Sequence, residues 1–534
     1  MVLMWIQEER QIIGDAISKA NPENFKPVDK ADRQDSWSPE FPVAADDFTD
    51  DTIFDRVDVG PNSPEKLDEI KTKHGIDVAE LIKRNGQLFS DQVQTHIIPD
   101  RGPFNAQLRF KNDTDRNFPI SKKPYRLSPD ESRALAEILR DMLLRGTIKP
   151  SNSAWGTPVF LVPKALGGWR LCCDYRPLNE KLVHEAYSIP ATDQLFDQLN
   201  GAKIYSTHDC TWGYHQLRWA PESVPLTAIR THLGTFEFMV MNFGPCSAPA
   251  QWTRLMEAIL RPYLFVFCIV YLDDLTIYSK NAEEHMKHLE LVYRLLAKNK
   301  IFLRFGKCIF FATKIEFLGW VIEDGKLSAS QKKIELVAKW PTPQSKRDVR
   351  SFVGFTNFYK RLIEGYSKLM KPLTDLLTDD KPDSGDKFRD RWSSPQQEAF
   401  ELIKQKLSSA PVVSIADPEL PYTMYIDASL EAIGGVLMQK DTDGTMRVIE
   451  YYSKRTSKTQ ANYTTYKVEM LALIVCLAHW KHLLLGSKLP IETHTDHEAL
   501  LSIQTSKNPS RLFLRWLQFI SQFQLDIKHV PGEK

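Results

Sequence analysis

The stretch Phe265–Lys280 (FVFCIVYLDDLTIYSK) limits the fold more than any other. Two apolar, β-prone runs flank adjacent aspartates, Asp273 and Asp274, and read as strand, tight turn, strand. Adjacent carboxylates beside a core are costly, because like charges repel and carboxylates resist burial. A divalent cation relieves both costs. A bare pair of aspartates is more often a solvated turn, since Asp favours turns. Here the apolar frame and a second acid argue otherwise. That acid, Asp209, lies 64 residues upstream in IYSTHDCTWGYHQL, after a short strand-like run and before a Gly–aromatic turn. Asp209 and Asp273 can hold two Mg²⁺ ions about 4 Å apart, a pair that activates a hydroxyl and clamps a triphosphate. Carboxylate oxygens suit Mg²⁺, which keeps waters and accepts phosphate ligands; Mn²⁺ is the alternative.

A second acidic constellation lies downstream. Asp427 ends an alternating strand (YTMYIDAS), Glu469 lies in a helix (TTYKVEMLALIVCLAHW), and Asp496 ends another strand (IETHTDHEAL). Three acids on separate elements can converge at one sheet edge and bind two more Mg²⁺ ions that activate water against a phosphodiester. Taken singly, each has a plainer reading: a turn cap, a solvated helix face, an N-cap.

The elements around these acids define a mixed chain. Ser128–Gly146 reads as a capped helix ended by glycine. TPVFLVPK and GGWRLCCDYRPLN read as a strand pair around Gly167–Gly168. Asp379–Arg391 is a hydrophilic loop and a candidate boundary. Beyond Leu420 come three strands, a long helix over Tyr463–Leu485, a strand, two helices (the second Arg511–Gln522) and a last strand, QLDIKHV. Gly434–Gly435 suits a tight hairpin between the first two strands. That order describes an α/β sandwich.

Charge and cysteines set the surroundings. Residues 1–100 carry 11 Lys/Arg against 21 Asp/Glu, leaving 58 against 47 in the remainder. An acidic leader thus precedes a moderately basic body, the footprint of phosphate binding. The seven cysteines form no C-x-x-C pair and have no zinc spacing, which suits reduced thiols in an intracellular setting. The apolar run Leu264–Leu272 is too short to span a bilayer, and Met1–Arg10 does not read as a signal peptide.

Taken in order, WRLCCDYRPLN, DCTWGYHQL, FEFMVMNFGPCSAPAQW, YLDDLTIYS, KCIFFATKIEFLGWVI and WPTPQSKRDVRSFVGFTNFYKRLI resemble the successive motifs of a reverse transcriptase. The wording is closest to LTR retrotransposons of the gypsy (metavirus) type. IDASLEAIGGVLMQ, YYSKRTSKTQANYTTYKVEMLALIVCLAHWKHLLLG and THTDHEALLSI resemble the ribonuclease H domain that follows it. The resemblance runs from about residue 90 to the end.

It implies an α+β fold. An acidic, partly disordered leader at 1–90 precedes a right-hand polymerase of fingers, palm and thumb at 91–340. A connection-like segment at 341–418 and a ribonuclease H domain at 419–534 follow. Asp209, Asp273 and Asp274 become the polymerase carboxylates, with Asp274 the less directly ligating, and Asp427, Glu469 and Asp496 those of the nuclease. Tyr214 walls off the sugar 2′ position. Arg170, with Lys164 as a weaker candidate, grips the triphosphate, as a bidentate Arg can. Phe243 and Gly244 line the nucleotide pocket, Tyr271 is a further substrate-binding residue, and Leu318 and Gly319 grip the primer end. For Trp169 and Phe243 core packing serves equally well.

The implied partners are an RNA template, RNA–DNA hybrid, deoxynucleoside triphosphates, a primer such as a tRNA, and a second copy of the chain, with no membrane. The implied location is the cytoplasm, in virus-like particles. Against the family wording stand His208 and Cys210 around Asp209, Thr211–Trp212 before Gly213, and Asn242 and Pro245–Cys246 around Phe243–Gly244. The family's fourth nuclease acid follows its H-V-P-G segment and would fall beyond Lys534, so the domain is expected to be truncated, with Glu533 no evident substitute. Those departures keep a second reading open: an inactive or domesticated copy serving as a nucleic-acid-binding scaffold. A host or intron-encoded enzyme is disfavoured by the WPTP and FYKRLI segments. Asp383–Ser384–Gly385 spells a protease-like D-S-G but lacks apolar flanks. His494 and His497 are expected as surface or core residues.

Overall fold

The computed structural model describes residues 64–91, 93–164, 167–185, 187, 192–378, 388, 390–429, 431–441, 443–457, 459–496 and 511–530. The D-S-G segment, His497, Glu533 and the helix expected before Arg511 lie outside these residues. The chain divides into two compact units. The first takes in residues up to Ala191 and Ile204–Ala312; the second takes in Thr192–Lys203 and everything from Thr313. The fold class is α+β, as expected.

In the first unit, helix α1 (Pro64–His74) and helix α2 (Val78–Arg84) open the described chain. They lie within the segment expected as a leader, yet Leu67, Ile70, Val78, Leu81 and Ile82 are buried in the unit's core. These few apolar side chains pack together with those of the first unit. Helix α3 (Pro129–Leu144) has the expected start: Ser128 and Glu131 form a reciprocal capping box. Gly146 follows in the left-handed region (φ 71°).

Two sheets follow. Strands β1 (Ile148–Pro150), β2 (Thr157–Pro163) and β3 (Trp169–Cys173) belong to the first. Strand β4 (Ile204–Asp209) belongs to the second. Strands β5 (Ile229–Thr231) and β6 (Gly234–Phe238) complete the first, in the order β1-β6-β5-β2-β3. β2 and β3 pair antiparallel around Gly167–Gly168, as read from sequence. Strands β7 (Cys268–Tyr271), β8 (Asp274–Ser279) and β9 (Ile309–Ala312) complete the second, ordered β7-β8-β4-β9 and antiparallel throughout. Helices α4 (Ala248–Leu260) and α5 (Ala282–Lys298) each bury an apolar stripe in the same core.

In the second unit, β10 (Lys314–Phe317), β11 (Trp320–Glu323) and β12 (Lys326–Ala329) form an antiparallel meander that β13 (Val413–Ser414) extends. Helices α6 (Gln331–Ala338), α7 (Lys346–Asn357) and α8 (Ser394–Ser408) follow the meander in sequence. A five-stranded sheet then forms from β14 (Tyr422–Ala428), β15 (Ala432–Lys440), β16 (Met446–Arg455), β17 (Ile491–Thr495) and β18 (Leu525–His529). Its order is β16-β15-β14-β17-β18; β14–β17 and β17–β18 are parallel and the other pairs antiparallel.

Helix α9 (Thr465–His479) supplies Met470, Leu473, Cys476 and Leu477 to this unit's core, together with Phe513 and Ile520 of α10 (Arg511–Ile520). The helix expected over Tyr463–Leu485 is thus shorter, and a separate turn, Lys481–Leu484, follows Trp480. Gly434–Gly435 is not a hairpin turn; it lies inside β15, opposite Asp427 and Ile426. A Cβ on Gly435 would come within 2.8 Å of Cys476 Sγ, so the glycine lets α9 pack closely on the sheet.

Candidate active sites

β4 and β8 are register partners, and their last and first residues, Asp209 and Asp274, face each other. β7 ends on Tyr271, opposite Asp274, so the two-residue turn Leu272–Asp273 brings Asp273 to the same place. Three carboxylates from two sequence segments therefore meet at one end of a buried sheet. Leu272 takes the left-handed conformation (φ 55°), which costs a non-glycine residue roughly 1–2 kcal/mol. Its carbonyl accepts a 3.0 Å hydrogen bond from Nε1 of the buried Trp252 on α4, which fixes the turn. A Cβ on Gly213 would lie 2.7 Å from Asp273 Oδ1, so only glycine leaves Asp273 its room.

The electrostatics are those of an under-compensated anionic site. Burial raises the Asp273 carboxyl to about 6, with help from Asp209 and Asp274. Burial and Asp209 raise Asp274 as well. Oδ1 of Asp273 is buried without a hydrogen-bond partner among the described residues. Lys307 Nζ stands 3.2 Å from Asp209 Oδ2 and offsets part of the charge. Among the described residues no three His, Cys, Asp or Glu side chains are gathered in metal-holding geometry, so the expected ligand set is near but not closed. An orphaned carboxylate oxygen, two upshifted acids and an all-oxygen donor set fit a hard divalent cation.

Around the aspartates, Tyr214 is buried with its ring 4.7 Å from that of Phe243, which is itself 56% exposed. Burial, then Asp273, raises the Tyr214 phenol to about 12, so it stays protonated. Gly244 has φ 117°, and a Cβ there would meet Tyr175 Cδ2 at 2.7 Å. Asn179 donates to the Gly244 carbonyl (2.9 Å) and accepts from the Cys246 amide (2.9 Å), clamping this loop. Lys164 and Arg170 stand exposed on the β2–β3 hairpin, without a hydrogen bond or ion pair to the aspartates among the described residues. Leu318 and Gly319 form the β10–β11 turn of the second unit.

Three of the departures from the family wording have local partners, although Thr211 Oγ1, His208 Nδ1 and Asn242 Oδ1 are buried without one among the described residues. His208 is buried, its Nε2 2.7 Å from Tyr293 Oη, and desolvation holds its imidazole neutral, at about 3. Trp212 is left-handed (φ 51°), stacks on His215 and lies under the Arg145 guanidinium at 4.6 Å. Asn242 Nδ2 donates to Tyr175 Oη and to the Phe243 carbonyl, both at 3.2 Å.

In the second unit Asp427 ends β14, Asp496 directly follows β17 and Glu469 lies on α9. β14 and β17 are parallel neighbours, which brings the two strand-end acids side by side. Glu469 is 3% exposed, and its Oε2 has no hydrogen-bond partner among the described residues. Burial, then Asp496 and Asp427, raises its carboxyl to about 7. Asp496 and Asp427 thus lie near enough to act on Glu469, though among the described residues the three are not gathered in metal-holding geometry. His529 on β18 adds a 3.0 Å hydrogen bond to the Asp496 carbonyl oxygen. His494 stacks on Tyr425 (4.4 Å) and bonds Glu492, as a structural residue would.

Sequence reasoning missed Gly213, Trp252, Lys307 and Asn179 as site residues. All four lie inside the quoted motifs, but only Gly213, as a turn glycine, carried a local signal of its own.

With that geometry in view, comparison with known proteins defines the class. Residues 162–322 match the family described as reverse transcriptase (RNA-dependent DNA polymerase). Residues 392–491 match the RNase H-like domain found in reverse transcriptase. Among solved structures, the foamy viral protease–reverse transcriptase dRH in complex with double-stranded DNA is similar at TM-score 0.71 and 19% identity, over 88% of this chain and 81% of that one. The foamy viral protease–reverse transcriptase in complex with dsDNA gives 0.70 and 19%, over 90% and 99%. That in complex with RNA/DNA hybrid gives 0.64 and 19%, over 88% and 63%. At this identity the likeness is one of fold. Two separate segments of the chain thus match a reverse transcriptase family and an RNase H-like domain found with it.

In sequence it is a relative of transposon polyproteins. It is 32% identical over 421 residues to the Transposon Tf2-3 and Tf2-7 polyproteins of Schizosaccharomyces pombe (strain 972 / ATCC 24843), over 78% of this chain and 31% of those. The chain thus spans about a third of the length of these relatives.

Proposed function

We propose that the chain is the RNA- and DNA-directed DNA polymerase of a gypsy-type LTR retrotransposon, with a ribonuclease H domain that cuts RNA in RNA–DNA hybrids. The observation that carries this is the meeting of Asp209, Asp273 and Asp274 at the β4–β7–β8 edge, with Asp273 Oδ1 buried and unpartnered. Asp209 and Asp273 would hold two Mg²⁺ ions, with Asp274 beside them. When bound, these ions supply activation of the primer 3′-hydroxyl and stabilisation of the leaving pyrophosphate. The protein's own part is placement. Tyr214, buried against Phe243, closes the floor where a sugar 2′-hydroxyl would sit. Gly244, without a side chain, and Phe243 shape the nucleotide pocket. Arg170 and Lys164, exposed on their hairpin, are free to grip the triphosphate. Tyr271 braces the aspartate turn, and Leu318–Gly319 contacts the primer end.

In the second unit Asp427, Glu469 and Asp496 would hold the cations of hybrid cleavage. The phosphate charge and groove of the nucleic acid meet a body that is net basic past residue 100. The partners are template RNA, hybrid, primer and deoxynucleoside triphosphates. The location is the cytoplasm, within virus-like particles. The second reading, an inactive or domesticated copy serving as a nucleic-acid-binding scaffold, predicts binding of the hybrid with neither activity. The experiment is a separation of functions on one labelled hybrid. Asp273→Asn/Asp274→Asn should stop extension and leave RNA cleavage, and Glu469→Gln should do the reverse. Loss of both activities in either variant would contradict two separate sites.

A further inference from the structure

The meander β10–β11–β12 turns twice by two-residue loops with both φ angles positive. The second turn, Asp324–Gly325 (φ 48° and 69°), uses a residue pair such turns favour. The first, Leu318–Gly319 (φ 52° and 82°), puts a leucine in the left-handed conformation. Leucine is a poor turn former there, so this turn carries strain that its neighbour avoids.

The strained turn is braced. The Gly319 carbonyl accepts hydrogen bonds from Tyr359 Oη at 3.1 Å and from the Ser330 amide at 3.2 Å. Tyr359 belongs to FYKRLI, just beyond α7, and is 3% exposed. Its ring lies 5.0 Å from that of Trp320, 5.0 Å from Phe358 and 5.6 Å from Phe355. A Cβ on Gly319 would come to 3.1 Å from Tyr359 Oη, so glycine here serves the brace as well as the turn. The phenol, raised to about 12 by burial and Glu316, remains a donor at any working pH.

We propose that Tyr359 is a positioning residue whose hydroxyl holds the Leu318–Gly319 turn in the left-handed shape that aligns a primer 3′ end. This rests on the reading of Leu318 and Gly319 as primer contacts. Leu318 is kept in a costly conformation because its side chain is wanted at the turn tip, and Tyr359 stabilises it there.

The test is Tyr359→Phe in the full chain. It keeps the ring cluster and removes one hydroxyl. Single-nucleotide incorporation at saturating primer–template should fall roughly three- to tenfold, the range of one neutral hydrogen bond. The melting temperature should fall by no more than a few degrees, while the KM for the nucleotide and the rate of hybrid cleavage stay at wild-type values. Amide exchange across residues 315–322 should accelerate. Unchanged incorporation by the variant overturns the proposal, as does an equal fall in the rate of hybrid cleavage. If the wild-type chain extends no primer, the polymerase reading fails instead. Amide exchange then still decides the brace, and exchange equal to wild type overturns it.

Discussion

Replacing Asp273 by Asn should make the metal-free protein more stable while abolishing extension. The carboxyl sits at about 6 in the folded chain against an ordinary 3.8, raised first by burial and then by Asp209 and Asp274. The folded state therefore binds this proton more tightly than the unfolded state. Stability falls as pH rises from about 4 to about 6, and the full cost stands above that window. A two-unit shift corresponds to about 3 kcal/mol. Partial solvent access reduces this to roughly 1–2 kcal/mol. Asparagine keeps the shape and removes the charge, and Lys307 keeps its partner Asp209. In EDTA at pH 7.5 the Asp273→Asn variant should melt about 2–6 °C above wild type. The gap should close near pH 4, and added Mg²⁺ should raise wild type more than the variant. A variant that melts lower than wild type at pH 7.5 in EDTA would refute the charge-strain argument.

Other outcomes follow from the same geometry. Glu469→Gln should stabilise the metal-free second unit above pH 7, because its carboxyl is raised to about 7 by burial and two neighbouring acids, and should stop hybrid cleavage; thermal melts and a cleavage gel check both. Gly213→Ala forces a methyl to within 2.7 Å of Asp273 Oδ1 and should cut extension by more than about tenfold with little change in nucleotide KM, measured by steady-state kinetics. Tyr293→Phe removes the partner of buried His208 and should cost about 1–2 kcal/mol in denaturant unfolding. Tyr214→Val opens the floor beside Phe243 and should raise ribonucleotide incorporation relative to deoxynucleotide by roughly 10-fold or more, measured by competition.

The aspartate pair was legible because its apolar frame admits one local fold, a strand–turn–strand, and Asp209 because a second short strand precedes it. The order of elements around Asp427, Glu469 and Asp496 was legible for the same reason: alternation and helical periodicity are local signals. What failed was non-local. Lys307 reaches Asp209 only because β9 lies beside β4, a pairing no local pattern encodes. Trp252 reads as one more core aromatic until its indole N–H meets the Leu272 carbonyl. Gly434–Gly435 looked like a turn because glycine usually marks one; the helix packed above it is the actual cause. The packing of the first helices into the first unit was not legible, because their few apolar residues gain meaning only once a core exists to receive them.

The most direct test of the central claim is primer extension on poly(rA) with oligo(dT) and dTTP, with and without Mg²⁺. An Asp273→Asn/Asp274→Asn double variant runs beside the wild type. Metal-dependent extension by wild type, lost in the double variant, is the predicted result. A folded wild-type chain that binds the primer–template and extends nothing would contradict the account.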